Sequence, residues 1–203
     1  MIIPMMTSNL DKLYWENNYK NKKMGWDIGY VSPPIKTYID QLLNKETSIL
    51  IPGAGNAYEA EYLFQTGFKN LTVLDIAKQP LENLQKRVPL FPNKRLVQED
   101  FFEHQKKYDL IIEQTFFCAL DPECRPDYIK KISNLLNDGG KIIGLLFDFP
   151  LIDEGPPFGG SINEYKNTFS KHFKIKILDP CYNSIKPRDG RELFIIFEKK
   201  IKK

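Results

Sequence analysis

From residue 47 onward, short apolar runs alternate with stretches whose apolar residues recur at helical spacing. Residues 47–51 read as a buried strand, 58–65 as a helix, 71–74 as a second strand and 80–87 as a second helix. The alternation continues with a weaker strand at 95–98, a stronger one at 110–112, a helix at 126–136 and a strand at 141–147. Strands separated by helices need crossover connections, so this pattern predicts a mostly parallel sheet. After a glycine- and proline-rich loop at 148–160 come a helix at 163–170 and two β-rich runs, 173–178 and 192–197, with no helix between them. That last pair is expected to be antiparallel. Upstream, 11–20 reads as a short helix carrying Leu13, Trp15 and Tyr19, and 22–34 as a loop holding Gly25 and Gly29. Pro33 and Pro34 then open a helix over 35–44, where proline suits a first turn.

No internal repeat or compositional break divides the chain, so residues 1–203 read as one domain: a helical segment, 1–46, ahead of an α/β core, 47–203. Hydrophobic residues make up 42% and charged residues 27%, the balance of a folded globular protein. A net charge of +3 provides no strong field for a polyanion, which argues against nucleic acid as partner. Cys118, Cys124 and Cys181 match neither a zinc nor a redox spacing, and a reducing cytoplasm fits an odd cysteine count. The apolar start, 1–6, is too short for a signal peptide, and no apolar run reaches membrane-spanning length. The lysine-rich stretch 198–203 reads as a solvated tail. A cytoplasmic monomer or weak homodimer acting on a small molecule, without metal, is the expectation.

The strongest local signal is Ile49-Leu50-Ile51-Pro52-Gly53-Ala54-Gly55-Asn56, a buried strand running into glycines and then a helix, with Asp75 closing the next strand. Glycines let the backbone approach a ligand closely, and a carboxylate at the second strand's end can accept from both hydroxyls of a ribose. A dinucleotide fingerprint calls for a third glycine where Tyr58 stands, which disfavours a nicotinamide cofactor. S-adenosylmethionine has no pyrophosphate to seat, so it tolerates Tyr58 and is preferred. Further along, Asp100 can accept from an adenine amino group, with Phe101 against the purine, and Glu113 and Gln114 end the fourth strand where the donor's amino-acid end is expected.

These blocks resemble the thiopurine S-methyltransferase superfamily, in particular its thiol and halide methyltransferase branch. The resemblance rests on Tyr14-Trp15-Glu16-x-x-Tyr19, Gly25-Trp26-Asp27-x-Gly29, Pro52-Gly53-Ala54-Gly55 and Leu74-Asp75-Ile76. It continues through Thr115-Phe116-Phe117-Cys118-Ala119-Leu120-Asp121-Pro122 with Arg125-Pro126, Asp138-Gly139-Gly140 and Gly155-Pro156-Pro157-Phe158. It implies a Rossmann-like class I methyltransferase: a seven-stranded, mostly parallel sheet of order 3-2-1-4-5-7-6, strand seven antiparallel, helices on both faces, and an N-terminal helical lid. It also implies donor contacts at Trp15, Trp26, Gly53, Asp75, Asp100, Phe101 and Gln114, and acceptor contacts at Trp26, Arg125 and the position of Phe147. The plant halide and thiol enzymes carry tyrosine where Phe147 aligns, and Asp-Tyr in place of Glu113-Gln114, which counts against halide as the preferred acceptor.

The expected activity is transfer of methyl from S-adenosylmethionine to a thiol or thiopurine-type sulfur, with S-adenosylhomocysteine as product and halide or selenium as further acceptors. In-line displacement at a sulfonium needs alignment and exclusion of water more than proton chemistry, so no catalytic base is assigned to either histidine, His104 or His172. The alternatives are an NAD(P)-linked oxidoreductase and a non-catalytic protein that binds the methyl donor.

Overall fold

The computed structural model describes residues 10–151 and 154–201. The apolar run 1–6, residues 152 and 153 of the glycine-proline loop, and the last two lysines lie outside the described residues. Seven strands form one sheet: β1 (Ile49–Pro52), β2 (Leu71–Asp75), β3 (Leu96–Gln98), β4 (Tyr108–Gln114), β5 (Leu136–Phe147), β6 (Phe173–Pro180) and β7 (Glu192–Lys199). Their spatial order is β3-β2-β1-β4-β5-β7-β6, with β7 antiparallel to both neighbours.

The helices are α1 (Lys12–Lys20), α2 (Pro33–Ile39), α3 (Tyr58–Gln65), α4 (Lys78–Arg87), α5 (Arg125–Leu135) and α6 (Ile162–Phe169). Alternation along the buried strands sorts the core into two layers. Ile49, Ile51 and Val73 pack with Ile35 and Ile39 of α2, Leu63 of α3 and Leu84 of α4. Leu50, Leu74 and Ile111 pack on the opposite face with Tyr128 and Ile132 of α5 and Phe169 of α6. Among the described residues, no helix is long and apolar enough to cross a membrane.

Two boundaries differ by five residues from the sequence reading. The helix expected over 35–44 ends at Ile39, where Asp40 receives the Tyr62 hydroxyl and a 2.7 Å bond from Lys36. The fifth strand begins at Leu136 rather than 141 and runs straight through Asp138-Gly139-Gly140. Gly139, at φ +75, lies within an irregularity in the pairing with β4, where Tyr108 pairs with Leu136 and Leu110 with Lys141.

Candidate active site

The parallel strands β1, β2, β3 and β4 all end at one edge of the sheet, the edge where open α/β folds place ligands. A cavity of about 730 Å³ opens there. Its floor is the β1–α3 loop, in which Gly53, Gly55 and Ala57 all take the left-handed conformation, at φ +53, +53 and +57. A Cβ on Gly53 would lie 2.1 Å from the Phe116 ring, so glycine is required there by conformation and by space.

Asp75 closes β2 beneath this loop. Its Oδ2 accepts from the Gly55 amide at 3.1 Å and its Oδ1 from the Ala77 amide at 2.9 Å, which fixes the carboxylate while leaving it acceptor capacity. Burial pushes its pKa up to about 6, against the pull of those amide bonds, so the group is mostly ionised at neutral pH. Asp100 follows β3. Its Oδ1 caps the Phe102 amide at 2.8 Å, and the half-buried side chain borders the cavity. Phe101 also lines it, while packing against Phe116 and Tyr128.

Trp15, Trp26, Gly53, Gly55, Gln114 and Phe147 border the same space. The buried Gln114 Oε1 has no hydrogen-bond partner among the described residues. Glu113 and Arg125, the other two residues singled out by sequence, lie behind the wall. Glu113 is fully buried, and its Oε1 accepts from the Phe116 and Phe117 amides at 2.8 and 2.9 Å while Oε2 accepts from the Tyr128 hydroxyl. It therefore shapes the loop that carries Phe116, and burial raises its pKa to about 7. Strand alternation accounts for the difference: adjacent residues point to opposite faces, so Gln114 meets the cavity and Glu113 the α5 side.

Arg125 reaches neither Asp121 nor Glu123. It donates to Glu164 Oε1 at 2.6 Å and to the Gly159 carbonyl at 2.7 Å, with its guanidinium over the Phe117 ring. Its role is to moor the end of the 148–160 loop. That loop is held a second time by the Phe158 amide on the Cys118 carbonyl, which sets Pro156 and Pro157 at the cavity.

Three further residues complete the site. Tyr19 lies one helical turn after Trp15, its hydroxyl 3.6 Å from a Cβ placed on Gly55. Burial, then the nearby Asp75 charge, raises its pKa, so it stays a neutral phenol. The i, i+4 spacing of Trp15 and Tyr19 was the available signal, since it puts both rings on one helix face. Arg188 and Arg191, from the β6–β7 loop, had no local signal. Arg188 donates to the Trp26 carbonyl at 2.8 Å, and Arg191 stacks on Phe149. Both arginines line the cavity, and neither histidine does.

The family model for thiopurine S-methyltransferase matches residues 10–200. The chain belongs to this family. It is 32% identical over 157 residues to probable thiol methyltransferase 2 of Arabidopsis thaliana, covering 75% of this chain and 69% of that one. It is 27% identical over 184 residues to thiocyanate methyltransferase 1 of Brassica oleracea, covering 88% and 81%. The solved 1,6-didemethyltoxoflavin-N1-methyltransferase of Burkholderia thailandensis, with bound 1,6-didemethyltoxoflavin and S-adenosylhomocysteine, shares the fold. Its TM-score is 0.75 at 16% identity over 99% of this chain and 92% of that one. Family membership makes the protein an S-adenosylmethionine-dependent methyltransferase, not the oxidoreductase held as the alternative.

Proposed function

We propose that this protein methylates the sulfur of a small thiol, with S-adenosylmethionine bound across the ends of β1, β2 and β4. The observation that carries the reading is the Asp75 carboxylate, held by two backbone amides beside the left-handed glycine loop with acceptor capacity left for a ribose. The donor set fits the rest of that ligand. The orphaned Gln114 Oε1 suits an ammonium group, Asp100 an adenine amino group, and the rings of Trp15, Trp26 and Phe116 a sulfonium. When bound, the donor supplies an electrophilic methyl group.

The residues of this chain then bind, orient and exclude water. Phe147, Phe149, Pro156 and Pro157 line an apolar part of the cavity, Arg191 adds positive charge over Phe149, and Arg188 is paired with Glu192 at 3.4 Å. The Arg191 guanidinium at this part of the cavity favours the thiolate over the thiol, which accounts for transfer with no histidine in the cavity. The relatives' names, thiol and thiocyanate methyltransferase, agree with a sulfur acceptor for this chain.

The test is transfer of labelled methyl to a panel of small thiols, sulfide, iodide and a thiopurine. Turnover on sulfur acceptors ahead of iodide is expected. Donor binding without turnover on any acceptor would favour the non-catalytic alternative.

A further inference from the structure

The block Gly25-Trp26-Asp27-x-Gly29 contains a carboxylate that methyl transfer leaves unexplained. Asp27 is half-buried at the cavity wall, and among the described residues no lysine or arginine pairs with it. Its Oδ1 accepts from the Gly29 amide at 2.8 Å, closing a tight turn immediately after Trp26, and Gly29 sits at φ +81. Its Oδ2 accepts from the Asn56 side-chain amide. Asn56 lies inside the glycine loop, directly after the Gly55 whose amide holds Asp75. Asn56 is itself fixed from the other side: its Oδ1 receives Asn83 of α4 at 2.8 Å, and its carbonyl receives Arg87. Hydrogen bonds on either side of the covalent Gly55–Asn56 step thus connect the carboxylate under the donor site to the turn that carries Trp26.

We propose that Asp27 is a positioning residue, latching the Trp26 turn to the glycine loop through Asn56 so that the acceptor wall is set relative to the donor floor. The latch is made by protein groups alone. Arg188 on the Trp26 carbonyl and Glu59 on the Ser32 amide hold the flanks of the same segment, at 2.8 and 3.0 Å. Among the described residues, only Asp27 of this segment hydrogen-bonds to the loop that shapes the donor site. Because the Trp26 indole lies 3.7 Å from a Cβ placed on Gly55, a small rotation of the turn would move the ring across the line of methyl transfer. The effect on turnover rests on the proposed function, whereas the placement of the ring does not.

The two side chains allow a decisive exchange. In Asp27→Asn alone, an amide NH2 faces the Asn56 NH2. In Asn56→Asp alone, two carboxylates face each other. In the double exchange Asp27→Asn with Asn56→Asp, the pair is re-formed with polarity reversed, and the Gly29 and Asn83 bonds keep their acceptors. The protein has two tryptophans, so 5-fluorotryptophan labelling gives two 19F signals, assigned with Trp15→Phe. Each single variant is expected to shift and broaden the Trp26 signal and to lower kcat/KM for the thiol by about tenfold, with the exchange recovering both to within about threefold of wild type. A Trp26 signal unmoved in Asp27→Asn, or an exchange no better than the poorer single variant, would overturn the latch. Should wild type methylate no thiol, the proposed function fails while the 19F series still decides the latch.

Discussion

The donor floor and the acceptor wall of this pocket are built in opposite ways. The floor comes from consecutive strand–loop–helix units, and its polar work is done by main-chain amides gripping one carboxylate, Asp75. The wall is gathered from the Trp26 turn, the 148–160 loop and the β6–β7 loop, and it works through rings and the side chains of Arg188 and Arg191. A floor made of backbone is hard to alter without unfolding it, whereas a wall made of side chains on loops can change acceptor while keeping the donor.

The largest expected effect tests the floor. Asp75→Ala should weaken donor binding by roughly 1–3 kcal/mol, read by calorimetry, with the acceptor KM changed less than about twofold. Equal losses for both ligands would break the division between floor and wall. The same carboxyl gives a pH signature. With its pKa at about 6, the ionised form that accepts from a ribose is depleted in acid, so donor affinity should be about tenfold weaker at pH 5 than at pH 7. Asp75→Asn should flatten that dependence.

Glu113 supports both regions by fixing the Phe116 loop, and its effect should appear in stability. Its pKa is raised to about 7 by burial, so the folded protein holds this proton more tightly than the unfolded chain. The resulting advantage is full below the unfolded value of about 4.5 and is lost as pH rises through about 7. Between pH 6 and 8, wild type should lose about 1 kcal/mol that Glu113→Gln does not lose, measured by denaturant unfolding at each pH. Donor affinity in Glu113→Gln should stay close to wild type. The smallest effect belongs to the wall: Arg191→Ala should raise KM for an anionic thiol about two- to fivefold at low salt, and less at high salt, with donor affinity unchanged.

The same contrast explains what could be read from sequence. The alternation from residue 47, the glycines after β1 and the acid closing β2 are local patterns, and the sheet order and seven strands follow the family resemblance. Gln114 was legible because it ends a strand. Its neighbour Glu113 was not distinguished from it, since one residue along a strand reverses the face. Arg125 carried the family position but is taken up by Glu164, a partner 39 residues away that no local pattern announces. Arg188 reaches Trp26 across 162 residues, so its place in the wall depends on the whole sheet.

β7 is the last strand in chain order, yet it lies between β5 and β6 and pairs with both over residues 192–199. A chain halted before Glu192 would leave the edge of the hydrophobic β5 bare and β6 without a partner, both open to pairing with other molecules. During synthesis, the pairing of β5 with β6 through β7 therefore waits until residues 192–199 emerge. Premature termination here should produce insoluble material instead of a weakened enzyme.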